Sequence, residues 1–471
     1  MMARWRMECC KSGIDACVTI HESIVRARDR LFGARSAADK KSCRLMPVVV
    51  AAAMLLAQPI YAGQAVPQVA QASQGQTPPP SPATTPSSQP VLAPLPATEP
   101  VRISEPAKNY PDIPATPPAY DEIVVTAVGD VMLGTTFPAD SPLPANDGAD
   151  LLQEVTPLLK RGDVVLGNLE GPMFDGGGAS PKCRGKAEGH CFAFRVPTRY
   201  GAHLKAAGFN VMGLANNHAM DFGPEGRESS RHVLEKQGIA HTGEVGDIAH
   251  LTAKGRKIDV IAFATYPGAY NFLDLDDALD TIRKARGEAD VVIVSFHGGA
   301  EGASHQHVAP GDETFLGEDR GDLRKFARAA IDAGAQLVIG SGPHVVRGME
   351  IYQGKLIAYS LGNFATYGPF NLSGENGLSL ILEVHLAPDG SFFRGQVHPV
   401  RQEKPGGPRL DPQLSIVPIL RALSQTDFRK SAIVVGPRGE LCLPGTKVTE
   451  CSNPPDSVEQ PVNPKLCSIF P

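Results

Sequence analysis

Six short apolar runs constrain this sequence more than any other feature, and five of them stop at side chains able to bind a metal. They are EIVVTAVGD (122–130), RGDVVLGNLEG (161–171), AAGFNVMGLANNH (206–218), KIDVIAFA (257–264), EADVVIVSFHGG (288–299) and GAQLVIGSGPH (334–344). Short, Val- and Ile-rich runs of this kind read as strands buried on both faces. Helical periodicity falls between them, at 149–160, 200–207, 224–237, 276–286 and 319–333. The alternation predicts an α/β domain. Beyond Gly354, KLIAYSLGNF and GLSLILEVHLAPDGSFFRGQVHPV read as further strands, with a turn at 388–390. The expected architecture is therefore a mixed sheet, or two stacked sheets, with helices outside.

The flanks divide the chain into four parts. Residues 1–65 read as a leader in which Lys40, Lys41 and Arg44 precede an apolar core at 46–57, the pattern of a secretory signal peptide. Residues 66–120 are dense in Pro, Gln, Ser and Thr, so they read as an extended linker without a fold of its own. Residues 121–400 form the predicted domain, and 401–471 a Pro- and Gly-rich extension with one helix near 416–423. Spacing suits disulfides Cys183–Cys191 and either Cys442–Cys451 or Cys442–Cys467, consistent with an oxidising compartment. Export to the periplasm or the extracellular side is expected, with membrane tethering as an alternative. The 45 basic and 50 acidic residues leave a formal charge of −5, which gives no support to a nucleic-acid or polyanion binder acting through bulk charge.

In open α/β sheets ligands collect beyond the carboxyl ends of strands. Asp130, Glu170, Asn217 with His218, His297 and His344 all stand there. Carboxylates beside imidazoles and an asparagine carbonyl suit divalent ions, and two such ions about 4 Å apart require anionic ligands. His218 and Asp221 are three residues apart, so the carboxylate can orient the ring and raise its pKa, which makes His218 a candidate proton donor. Either Asn216 or Asn217 faces the site. Glu301, Arg195 and Asn363 are candidate substrate contacts, Asn363 at another strand end. Arg347 either meets an anionic substrate group or pairs with Glu350. There is no P-loop lysine, dinucleotide glycine turn, H-E-x-x-H helix or G-x-S-x-G elbow.

VGDVMLG (128–134), GNLEGP (167–172), FRVPTRYGAHLKAAGFNVMGLANNHAMDFG (194–223), SFHGGAE (295–301) and DAGAQLVIGSGPHVVRGMEIYQGKLIAYSLGNF (332–364) resemble the bacterial capsule-synthesis family for poly-gamma-glutamate, CapA or PGA_cap. The resemblance implies a calcineurin-like metallophosphatase-type four-layer sandwich of mixed sheets flanked by helices. It implies a centre of two divalent ions (Mn, Zn or Fe) on Asp130, Glu170, Asn217, His297 and His344, with His218 and Asp221 in catalysis. A role in surface-polymer biosynthesis follows, on an anionic polymer or a phosphate or amide substrate, alongside a membrane-bound synthase or export complex. The alternatives are a phosphoesterase and a non-catalytic assembly protein. One departure stands out: relatives commonly carry a further His in the last loop, where this chain has Ser341.

Overall fold

The computed structural model describes residues 121–138, 143–185 and 191–452. The leader, the linker and the last part of the extension, including Cys467, lie outside the described residues.

The chain first alternates strand and helix: β1 (Ile123–Met132), α1 (Thr156–Leu159), β2 (Val164–Leu169), α2 (Gly201–Ala207), β3 (Val211–Gly213), α3 (Gly223–Lys236) and β4 (Ala240–Thr242). It then enters β5 (Ala249–Ala253), β6 (Arg256–Ala264), β7 (Tyr270–Asn271), α4 (Leu275–Glu288) and β8 (Val291–His297). A hairpin of β9 (Glu313–Phe315) and β10 (Glu318–Gly321) precedes α5 (Leu323–Asp332) and β11 (Leu337–Ser341). Next come β12 (Met349–Tyr352), β13 (Lys355–Ala358), β14 (Asn363–Thr366), β15 (Leu378–Leu386) and β16 (Phe392–Arg401). The last elements are β17 (Arg409–Leu410), α6 (Ile416–Phe428), β18 (Val434–Val435) and β19 (Glu440–Cys442).

Two mixed sheets result. One has the order β18-β19-β16-β15-β1-β2-β3-β4, with β14 beside β1 and β17 beside β16; the other runs β12-β13-β11-β8-β6-β5, with β7 beside β6. Strand periodicity explains the layers. In β8, Val291 and Ile293 join a core with Val125, Ala127, Val164 and Leu166 of the opposite sheet. Val292 and Val294 face the other way, against Ile282 of α4 and Phe326 and Ala330 of α5. On the outer face of the first sheet, Val165 and Met212 meet Leu159, Leu204 and Leu234 of α1, α2 and α3. The layers are thus helix, sheet, sheet, helix, the four-layer sandwich expected. Both faces of these strands are buried, which is why their sequences are continuous apolar runs rather than alternating ones. Truncating a core side chain such as Ile293 to Ala is expected to cost about 2–5 kcal/mol.

Three expectations change. The helix expected at 319–333 begins only at Leu323, because Glu318–Gly321 pairs with β9 and Asp322 caps the helix by accepting the Lys325 N–H at 3.0 Å. The stretch 149–160 is mostly turns, with regular helix only over Thr156–Leu159. Strand β16 runs through residue 400, and β18 and β19 extend the first sheet, so residues 401–452 build onto the domain. Ile416, Val417 and Leu420 of α6 belong to the core between the sheets.

The sheets are joined at their carboxyl ends. The Asp130 N–H donates to the Gly362 carbonyl at 3.0 Å and the Leu361 N–H to the Gly340 carbonyl at 3.3 Å. A Cβ on Gly129 would stand 1.9 Å from the Gly362 carbonyl oxygen, and one on Gly340 2.2 Å from that of Tyr359. Each glycine thus allows one backbone to pass directly over another, bringing Asp130 and the loop after β11 together. Among the described residues no helix is long and apolar enough to cross a membrane.

Candidate metal centre

Asp130 lies in β1, Glu170 directly after β2, Asn217 and His218 beyond β3, His297 at the end of β8, and His344 in the loop after β11. His344 has φ +58°, a left-handed conformation that is uncommon for a non-glycine residue and marks a position held by its surroundings. One carboxylate oxygen each of Asp130 and Glu170 and one nitrogen of His344 lie within 4.8 Å of one another, close enough to hold one metal ion. His297 Nε2 is 4.0 Å from Glu170 Oε1.

The decisive chemical feature is a set of buried polar atoms without a hydrogen-bond partner: both carboxylate oxygens of Glu170, Asn217 Oδ1 and His297 Nε2. Leaving such atoms unpaired costs stability, so their concentration at one place fits a cation as the missing partner. Without a cation, the crowding of Glu170 and His344 is met by protonation. Burial, with Asp130 and Glu301 nearby, pushes the Glu170 carboxyl well above its ordinary pKa, although His344 opposes this. His344 itself is raised to about 10: burial disfavours its charge, but Glu170 and Asp130 outweigh burial. Burial and the charge of Arg320 hold His297 well below its ordinary value, so it stays neutral, the form in which imidazole binds metals.

The adjacent asparagines have different tasks. Asn216 Nδ2 donates to Asn168 Oδ1 at 3.0 Å and to the Leu169 carbonyl at 2.8 Å, and Asn216 Oδ1 accepts the His218 N–H at 3.1 Å. Asn216 therefore ties loops together, which leaves Asn217 to face the cavity. Asn168 Nδ2 also donates to Asp130 Oδ1 at 2.9 Å. Ser341 Oγ donates to the Phe296 carbonyl at 3.2 Å and lies 3.3 Å from His297 Nδ1. The serine is thus a neighbour of the His297 ring rather than a direct substitute for a further histidine.

His218 Nδ1 is 2.7 Å from Asp221 Oδ2, as the spacing suggested. The expected rise in its pKa does not occur: burial lowers it and outweighs Asp221, with Lys182 adding to the lowering. Near neutral pH His218 is a neutral imidazole.

A cavity of about 560 Å³ opens over these residues, lined among others by His218, Asn217, Glu301, His344 and Asn363. Two predicted substrate contacts are elsewhere. Arg347 is fully buried; its guanidinium donates twice to Glu313 at 2.8 Å and to the Ala300 carbonyl at 3.0 Å. It does not pair with Glu350, which is taken by Arg328. Arg195 is held by the Gly176, Gly177 and Thr136 carbonyls and does not line the cavity. The cations that do are Lys182 and Arg320. Neither follows a strand, so strand-end reasoning passes over them. For Lys182 the available signal was its place beside Cys183, which is disulfide-bonded to Cys191.

The profile of the family described as bacterial capsule synthesis protein PGA_cap matches residues 124–367. The chain belongs to this family. Every residue of the proposed PGA_cap centre lies inside the matched region. The chain is 27% identical to the capsule biosynthesis protein CapA of Bacillus anthracis, over 58% of this chain and 66% of that protein. It is 28% identical to the PGA biosynthesis protein CapA of Bacillus subtilis (strain 168), over 60% of this chain and 72% of that one. Among solved structures, a 5'-nucleotidase precursor from Thermus thermophilus aligns at 11% identity and TM-score 0.33, covering 65% of this chain and 59% of its own. Haemophilus influenzae NAD nucleotidase aligns at 12% and 0.31, covering 64% and 56%. At such TM-scores neither likeness bears on the chemistry of this PGA_cap chain.

Proposed function

We propose that the chain is an exported, metal-dependent hydrolase of phosphate esters that serves the formation of a cell-surface polymer. The reading rests on the unpartnered atoms of Glu170, Asn217 and His297 beside the Asp130, Glu170 and His344 cluster. Asp130, Glu170, Asn217, His297 and His344 would hold the metal. A bound divalent cation supplies Lewis-acid stabilisation of charge on a phosphoryl oxygen and makes water more acidic. A second ion, as the family resemblance implies, belongs to the same proposal.

The chain's own side chains supply the rest. Asp221 fixes His218 by accepting from its Nδ1, so Nε2 is the position at which a proton is taken up and released. Because burial keeps the ring neutral at rest, His218 accepts a proton from the attacking water and passes it to the leaving oxygen. Lys182 and Arg320 stand at the cavity wall, each already paired with carboxylates, Asp221 for the lysine and Glu301 and Glu318 for the arginine, so they offset the acidic groups beside an anionic substrate rather than offer free charges to it. Asn363 holds His344 through the Asn363 Oδ1 contact to Nδ1 at 3.0 Å.

The names of the Bacillus relatives support a place in capsule formation, with a membrane-bound synthase or export complex as partner. The leader pattern and the disulfides Cys183–Cys191 and Cys442–Cys451 support export, since disulfides persist in oxidising compartments. The test is to load the full chain with manganese, measure bound metal by plasma mass spectrometry, and assay phosphate mono- and diesters. Bound metal with ester hydrolysis, both lost in His297→Ala, is the expected result. Failure to bind metal or to hydrolyse either ester overturns the reading, and retained polymer binding in that case selects a non-catalytic assembly role.

A further inference from the structure

The polar floor of the cavity is only half of its lining. Phe194 packs 4.5 Å from the His218 ring and stacks on Phe370 at 5.1 Å, and Phe370 meets His344 edge-on at 5.7 Å. An aromatic wall thus runs between the two histidines. At the mouth, Phe192 is 60% exposed and Leu316 is 87% exposed, the highest value for a large apolar side chain among the described residues. They come from separate loops, yet both line this one cavity.

Leu316 is misplaced by local criteria. It forms, with Gly317, the two-residue loop between β9 and β10, and both have positive φ, +51° and +81°. Such a loop favours Asn or Gly at its first position. The turn therefore does not explain a leucine there. Phe315, the preceding residue, anchors the hairpin by lying 5.8 Å from the Arg320 guanidinium, so the loop holds Leu316 over the cavity.

The geometry points to an amphiphilic substrate: a phosphate ester carrying an apolar alkyl or prenyl chain that packs against Phe194, Phe370, Phe192 and Leu316 while the phosphate sits on the polar floor. This rests on the proposed hydrolase reading and names its substrate class. The apolar lip is continuous with the candidate centre, so the two parts of one molecule can fill both. A polyglutamate chain, charged along its length, would leave the lip in water.

The test compares butyl and decyl phosphate, at concentrations where both are monomeric, on manganese-loaded full chain, Leu316→Asn and Phe192→Ser. Asn suits the left-handed position, so the first variant keeps the fold. Hydrolysis and calorimetric binding are both measured. Expected is at least about a tenfold preference for decyl phosphate in kcat/KM and in Kd, as burial of several methylenes allows, and its loss in either variant with butyl phosphate unchanged. Equal handling of the two esters overturns the inference and leaves the hydrolase reading standing. If neither ester is hydrolysed, the hydrolase reading fails, and the binding comparison alone decides the inference. Reversible dimerisation of wild type that Leu316→Asn abolishes, without chain-length preference, gives the lip to a second copy and also overturns it.

Discussion

Lys182 Nζ lies 2.7 Å from Asp221 Oδ1, while the other oxygen of the same carboxylate accepts from His218 Nδ1 and from the Phe194 N–H at 2.8 Å. One buried carboxylate thus serves a lysine, a histidine and a backbone amide. Lys182 also donates to the Asn217 carbonyl at 3.0 Å, which couples the loop carrying the disulfide to the loop carrying a proposed metal ligand.

Removing this lysine should show in the pH dependence of catalysis. Burial lowers the His218 pKa and the charge of Lys182 adds to it, so Lys182→Met raises that pKa. The acidic limb of the kcat/KM profile is expected to move to higher pH, with a loss of about tenfold or more at pH 7, and Lys182→Arg should restore part of it. A profile unchanged in shape would deny Lys182 any influence on His218.

Glu170 illustrates a site that opposes stability without its ion. Burial raises its pKa well above the ordinary carboxyl value, so its charged form is disfavoured in the folded protein at neutral pH. Glu170→Gln is expected to stabilise the chelator-treated protein by about 1 kcal/mol or more while abolishing metal binding. Urea midpoints with and without chelator, together with metal content, check both halves.

Ser341 Oγ and Asn168 Nδ2 stand 3.3 Å and 3.2 Å from His297 Nδ1, and together they hold the ring with Nε2 on the side of Glu170, 4.0 Å away. Ser341→Ala should weaken metal affinity by about tenfold, the usual effect of losing an orienting partner. Competition with a calibrated chelator measures it; unchanged affinity would assign the orientation of His297 to Asn168 and packing.

His241 gives a pH effect far from the cavity. Its Nδ1 bonds Asp247 Oδ2 at 2.8 Å and its Nε2 lies 3.3 Å from Glu235, and the hydrogen bond to Asp247 raises its pKa although burial opposes this. The stabilisation is fully present below the unfolded-state value of about 6.5 and is lost as pH rises through the folded value. His241→Gln should therefore cost about 1 kcal/mol at pH 5.5 and less at pH 9. Denaturant titrations at both pH values test the direction.

Strands were legible in the sequence because burial on both faces leaves continuous apolar runs. The two-sheet arrangement was an open alternative, since nothing in a run such as EADVVIVSFH says which sheet it joins. Helix limits failed where other contacts intervened: the hairpin of β9 and β10 took residues 318–321 from a predicted helix. The proposed ligands were visible because each stands at or just beyond the end of an apolar run, although β1 continues two residues past Asp130 and His344 lies in the loop after β11. Lys182 and Arg320 were not, because they reach the cavity from a disulfide loop and a hairpin. Arg347 was misjudged because a charged residue within a motif does not reveal its partner, which proved to be Glu313.

By itself the sequence determined the alternation of buried strands and helices and the placing of Asp130, Glu170, His297 and His344 at or near the ends of apolar runs. These depend on residue type and local periodicity, which a linear reading retains. Tertiary structure alone decided which polar atoms were left without partners, that Asn217 rather than Asn216 faces the cavity, and that burial makes His218 neutral. Partnership and desolvation depend on what the rest of the chain places around each group, and no local pattern records it.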